Sequence, residues 1–261
     1  YEITLLSPDS TGAISADAVR AALREDTALV TLMMVNNETG AVTDIAGVAR
    51  ALRAAKSKAL LHTDAVQGFM KEPFSAKTLG ADMISVSGHK VHAPKGIGAL
   101  YIRQGLKLPA HILGGGQEEG MRSGTEPMPQ IAAFGEAVRI AKAEMPEANK
   151  RMEALRAQCV QTLTDTVPGI VFLGGGSAHI LSLSLPGYRS EVLMNYLEAK
   201  GIYVSKSSAC KRGKRSHVLE AIGAPDKVID GALRVSFSRY TTAEECAYFC
   251  EALAAARKEL Y

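Results

Sequence analysis

Three polar residues recur at near-equal intervals behind apolar runs in the first ninety residues, and this rhythm restricts the fold more than any other feature of the chain. Asn37, Asp64 and Lys90 lie 27 and 26 residues apart, about one strand and one helix each. Residues 28–35 form a β-rich apolar run that ends in Asn36-Asn37-Glu38-Thr39-Gly40. Behind Asp44, a residue suited to cap a helix, Ile45, Val48, Ala49, Leu52 and Ala55 recur at helical spacing over residues 44–58. A short strand at 59–61 ends in His62-Thr63-Asp64, and after a brief segment at 74–79 another at 81–86 ends in Ser87-Gly88-His89-Lys90. Alternation of this kind predicts an α/β fold with a mainly parallel sheet and right-handed crossovers. Ligands bind such sheets beyond the carboxyl ends of the strands. An amide, a carboxylate and an amine are therefore predicted to share one rim.

The remainder reads differently. Residues 96–103 suggest one more strand, 108–129 a long glycine-rich irregular stretch, and 131–163 an amphipathic helix bent near Pro146 that bridges two domains. From about residue 171, short strands (180–185, 202–205, 232–237) alternate with helices (190–200, 243–259), as in a smaller α+β domain. The predicted division is a large domain at 1–140 and a small C-terminal domain at 141–261. With 47% hydrophobic residues, the 261-residue chain has material for a core. It has no apolar run as long as a membrane span. A net charge of +3 argues for neither nucleic acid nor membrane as a partner. Four unevenly spaced cysteines do not make a disulfide framework and suggest a reducing compartment. Cys159 falls in the long helical pattern. Cys246 and Cys250 share a helix face, but without histidine or acidic support they read as packing, and no metal is expected. The triplets Gly114-Gly115-Gly116 and Gly174-Gly175-Gly176 read as turns.

A lysine at one strand end opposite an aspartate at another is what pyridoxal 5'-phosphate chemistry needs. The amine forms a Schiff base, and the carboxylate keeps the pyridine nitrogen protonated. Ser87 and His89 flank the lysine with donors suited to phosphate. Taken singly, Lys90 also reads as a solvated loop lysine and Asp64 as a helix cap.

In combination, and in this order, Asn36-Asn37-Glu38-Thr39-Gly40, His62-Thr63-Asp64-Ala65-Val66-Gln67 and Ser87-Gly88-His89-Lys90 resemble the signatures of class V pyridoxal phosphate enzymes. Lys95-Gly96-Ile97-Gly98-Ala99-Leu100-Tyr101, Gly114-Gly115-Gly116-Gln117-Glu118 and Arg122-Ser123-Gly124-Thr125-Glu126-Pro127 extend the resemblance, which is nearest to cysteine desulfurases of the NifS/IscS type. It implies the fold type I of pyridoxal phosphate-dependent transferases. It also implies roles. Lys90 carries the cofactor and moves protons, Asp64 pairs with the pyridine nitrogen, and Gln67 reaches the ring hydroxyl. Ser87 and His89 bind the phosphate, and Thr125 reaches the phosphate held by the neighbouring subunit of a homodimer. Asn37 and Arg234 handle the substrate carboxylate, for which a guanidinium fork is suited.

Cys210 follows Ser207-Ser208-Ala209 among Lys206, Lys211, Arg212, Lys214 and Arg215. Adjacent cations lower a thiol's pKa and make it a nucleophile, although a solvated basic loop with an incidental cysteine would look the same. The resemblance makes Cys210 the sulfur-accepting residue, with a shorter stretch between it and Ser216 than in familiar bacterial members. Relative to the family pattern, a Gly-Ala-Thr-Glu-like turn and a histidine that stacks on the pyridine ring are not in the chain, so a fragment of a longer polypeptide is expected. The implied protein is a cytoplasmic homodimer that converts L-cysteine to L-alanine and passes persulfide sulfur to an acceptor such as an iron–sulfur scaffold. The alternatives are a selenocysteine lyase, a class V aminotransferase, or an inactive dimerisation scaffold.

Overall fold

The computed structural model describes residues 1–207 and 215–260. The first half contains α1 (Ala16–Ala22), β1 (Leu29–Met33), α2 (Ile45–Ala54), β2 (Leu60–Asp64), α3 (Ala76–Leu79), β3 (Met83–Ser87) and β4 (Gly98–Ile102). The second contains α4 (Met128–Thr166), β5 (Val171–Leu173), β6 (Ile180–Ser184), α5 (Ser190–Glu198), β7 (Ser205–Lys206), α6 (His217–Ala221), α7 (Asp226–Asp230), β8 (Ala232–Ser236) and α8 (Ala243–Glu259).

The first sheet has the order β1-β2-β3-β4, with β1, β2 and β3 parallel, so the carboxyl ends of those three strands form one rim. Asp44 caps α2, its Oδ1 accepting from the Gly47 N–H at 2.8 Å, and this returns the chain for the parallel crossover. β4 breaks the pattern by pairing antiparallel to β3. Residues 88–97 are too few for a parallel crossover, which needs a dozen or more, so the chain must turn back. Val30, Leu32, Leu61, Ile84 and Val86 pack with α1, α2 and α3 in one core. On the opposite face His62 bridges the strands, its Nδ1 2.7 Å from Thr31 Oγ1 and its Nε2 2.8 Å from Ser85 Oγ. Burial holds the His62 ring below its ordinary pKa.

The second sheet, β5-β6-β8-β7, is antiparallel at every pairing. Leu181, Leu183, Leu193, Leu197, Leu233 and Leu253 are fully buried in its core. Cys159, Cys246 and Cys250 are buried in that same core. α8 begins with a reciprocal cap, Thr242 Oγ1 accepting from the Glu245 N–H at 3.2 Å and Glu245 Oε2 accepting from the Thr242 N–H at 2.9 Å.

The 39 residues of α4 include Pro146, and the helix runs through the 140–141 position. Its buried residues Ala148, Met152, Leu155, Cys159 and Leu163 make one stripe in its second half, whereas the first half buries only Ala137. Among the described residues, no helix is long and apolar enough to cross a membrane.

Candidate active site

The turn after β1 is built by Asn36, whose Oδ1 accepts from the N–H groups of Glu38 at 2.9 Å and Thr39 at 3.0 Å. Gly40, at φ +71°, then reverses the chain. The second glycine triplet is more than a turn, because it docks on this loop. Ser177 N–H donates to Gly40 O at 2.9 Å, and a Cβ on Gly174 would sit 2.5 Å from Thr39 Cβ. After β2, Asp64 Oδ1 accepts from the Val66 N–H at 2.9 Å and starts the turn that leads to Gln67. After β3, residues Gly88–Val91 form a single 3-10 turn. Only glycine fits position 88, where a Cβ would come within 2.8 Å of Ile97 Cγ2.

These loops meet the second sheet at a cleft of about 190 Å³ whose lining includes Gln67, Lys71, His89, Lys90, His179 and Arg234. Gln67 and His89–Lys90 come from the first sheet's rim, His179 from the turn just before β6, and Arg234 from the middle of β8. Arg234 Nη1 donates to the Asn37 backbone carbonyl at 2.8 Å, and Nη2 donates to Ser205 Oγ at 3.3 Å. Asn37 thus meets Arg234 through its main chain. Ser87 Oγ lies 2.7 Å from His89 Nδ1. Asp64 stands at the same rim but does not line this cleft, and neither do Asn37 or Ser87. Thr125 is exposed in the irregular stretch before α4 and does not line this cleft. Cys210 lies outside the described residues. The stem that follows it is held by Ser216, whose hydroxyl donates to Glu38 Oε2 at 2.5 Å while also capping α6. Burial raises the Glu38 carboxyl's pKa, and the Ser216 hydrogen bond offsets part of that rise.

Two cleft residues escape sequence reading. Lys71 Nζ donates to the Lys90 carbonyl at 2.6 Å. Burial first, and the Lys90 charge second, bring the Lys71 ammonium down to about 8. The Lys71 carbonyl is in turn held by the Asn149 side chain of α4. His179 is 4% exposed and pushed down to about 3, chiefly by burial, with Lys71, Lys90 and Arg234 adding repulsion. Nothing local distinguishes His179 from a core histidine.

The profile of the Aminotransferase class-V family matches residues 1–249. The chain belongs to that family. It is 42% identical over 250 residues to "Cysteine desulfurase 2" of Trichormus variabilis, covering 94% of this chain and 62% of the relative. To "Cysteine desulfurase IscS" of Tolumonas auensis it is 43% identical over 256 residues, covering 95% and 62%. A solved "NIFS-LIKE PROTEIN" superposes with a TM-score of 0.91 at 37% identity, over 99% of this chain and 68% of that one. The structure described as "SspA in complex with cysteine" gives 0.75 at 30%, over 93% and 68%. The chain thus spans less than two thirds of the length of the two named desulfurases. Among the described residues no cluster could hold a metal ion.

Class-V enzymes use pyridoxal phosphate, and the donor set fits that group. The cleft offers an amine at Lys90, an amide at Gln67 and a guanidinium at Arg234, beside a rim that carries Asp64 and the Ser87–His89 pair.

Proposed function

We propose that the protein is a pyridoxal phosphate-dependent cysteine desulfurase, converting L-cysteine to L-alanine with the sulfur carried away on Cys210. The observation that carries the reading is the convergence of Lys90, Gln67 and Arg234, from two different sheets, on one cleft. The names of its relatives, and the cysteine complex of one of them, point the same way.

The cofactor, when bound, supplies an electron sink that acidifies the substrate's Cα–H. The chain's own groups do the rest. Lys90 holds the cofactor through its amine and then moves the proton at Cα. Asp64 keeps the pyridine nitrogen protonated, and Gln67 faces the ring hydroxyl. Ser87 and His89 bind the phosphate, joined by Thr125 of a second copy in a homodimer. Arg234, steadied by the Asn37 carbonyl, grips the substrate carboxylate. The Cys210 thiolate attacks the substrate sulfur and forms an S–S bond as the Cβ–S bond breaks. The electron pair returns to carbon, which takes a proton and leaves as alanine. The persulfide then passes to an acceptor such as an iron–sulfur scaffold protein, in the cytoplasm. The division into a large cofactor-binding part (1–140) and a small part with the cysteine (141–261) belongs to this reading.

The test is product analysis of the holoprotein with L-cysteine and a thiol reductant. Alanine and sulfide in equal amounts, lost in Cys210→Ala, support the reading. Alanine released by Cys210→Ala at the normal rate without added thiol overturns it. A keto-acid product identifies an aminotransferase instead, and a strong preference for selenocysteine a lyase of that substrate.

A further inference from the structure

A primary amide is ambiguous, because a half-turn exchanges its donor for its acceptor. A ring hydroxyl that has lost its proton can only accept a hydrogen bond. If Gln67 serves such an oxygen, something must keep its NH2 toward the cleft and its carbonyl oxygen away. The structure supplies it from the other sheet. Gln67 Oε1 faces His179 Nε2 at 3.2 Å, and His179 Nδ1 lies 2.6 Å from Ser177 Oγ. All three side chains are buried, at 7%, 4% and 1% exposure for Gln67, His179 and Ser177. Among the described residues this is the one hydrogen bond of the Gln67 side chain.

A neutral imidazole has one N–H and one lone pair. An oxygen acceptor at Nε2 requires the proton there, which leaves Nδ1 bare and makes the Ser177 hydroxyl its donor. The charged groups around the relay are Lys71, Lys90 and Arg234, which oppose a second proton on the ring, and the Glu72 carboxyl, which competes with His179 Nδ1 for the single proton of the Ser177 hydroxyl; the imidazole nitrogen is the close partner, at 2.6 Å. Ser177 is fixed independently by its backbone bond to Gly40.

We propose that His179 is a positioning residue: its Nε2–H holds the carbonyl oxygen of Gln67, so that the amide offers the cleft its NH2. This rests on the reading that Gln67 faces the cofactor's ring hydroxyl. The second sheet then contributes more than a substrate grip, since it sets the hydrogen-bond polarity of a residue on the first.

The test uses holoprotein and follows the pH midpoint of the bound cofactor's visible absorption. Losing a donor to the ring oxygen makes that oxygen more basic, so the midpoint rises. Gln67→Met, His179→Met and the double variant are expected to show the same upward shift, about one pH unit. His179→Gln, which keeps an N–H toward Gln67 and a carbonyl toward Ser177, is expected to restore the midpoint. A shift in Gln67→Met with none in His179→Met overturns the inference and leaves the Gln67 reading standing. No shift in Gln67→Met overturns the reading and the inference together. Should His179→Met fail to fold, 15N NMR of histidine-labelled holoprotein decides. A proton on Nε2 of His179 supports the relay, and a proton on Nδ1 overturns it.

Discussion

Arg234 Nη1 donates to the main-chain carbonyl of Asn37 at 2.8 Å, tying the last strand of the second sheet to the first loop of the rim. The bond fixes the direction of the guanidinium at the mouth of the cleft. Charge-assisted hydrogen bonds are worth about 1.5–3 kcal/mol, and each 1.4 kcal/mol is a factor of ten. Arg234→Lys keeps the charge but loses the fork, and is expected to lower kcat/KM for cysteine by roughly ten-fold or more. Steady-state kinetics should place most of the loss in KM.

His179 makes stability depend on pH. Its ring is held near 3 in the folded protein against an ordinary 6.5, so below pH 6.5 the unfolded chain takes up a proton that the folded one refuses. Stability from this group is complete above 6.5 and falls by about 1.4 kcal/mol per pH unit as the pH drops toward 3. Urea midpoints at pH 6.5 and 4.5 should therefore diverge more in the wild type than in His179→Gln.

Lys71 is expected to be unusually reactive. An amine held at about 8 has roughly a tenth of its population uncharged at pH 7, against well under a thousandth for an ordinary lysine. Competitive labelling with an amine-directed reagent, read by mass spectrometry, should modify Lys71 ahead of the exposed Lys56. Prior loading of the cleft with pyridoxal phosphate should protect it. Equal labelling of the two lysines would contradict the burial argument.

Gly174→Ala should destabilise the protein sharply. The residue sits at φ +63°, and a Cβ there would meet Thr39 Cβ at 2.5 Å and the Thr39 carbonyl at 2.9 Å. Gly169→Ala is the control, since φ is +82° but nothing lies within 4 Å. The control isolates the left-handed backbone penalty of about 1 kcal/mol, and the excess at Gly174, about 1–3 kcal/mol, measures the contact. Thermal unfolding of the two variants makes the comparison.

Most of the frame is legible from local pattern. The Asp44 cap, the rim order of the first three strands and the span of α8 follow from residues close in sequence. The reversal of β4 was readable too, in the length of the link before it, but alternation alone suggests otherwise. The cleft is another matter. Gln67 and His179 are 112 residues apart, and no spacing rule foretells that a lone histidine in the turn before an apolar strand will face a particular amide. The docking of Gly174 on Thr39 is equally non-local, so the triplet reads from sequence only as a turn.

At 1.5 Å per residue α4 is about 58 Å long, and one stretch of it touches both a loop of the first sheet's rim and the core of the second sheet. The Asn149 side chain holds the Lys71 carbonyl, and three residues on Met152 is sunk in the second core. The same turn of helix is thus a rivet through two plates. A substitution at Leu155 or Cys159 that repacks the second core around Met152 would be felt as a displacement of Lys71, and through it of the Lys90 carbonyl, with no altered residue in the cleft itself.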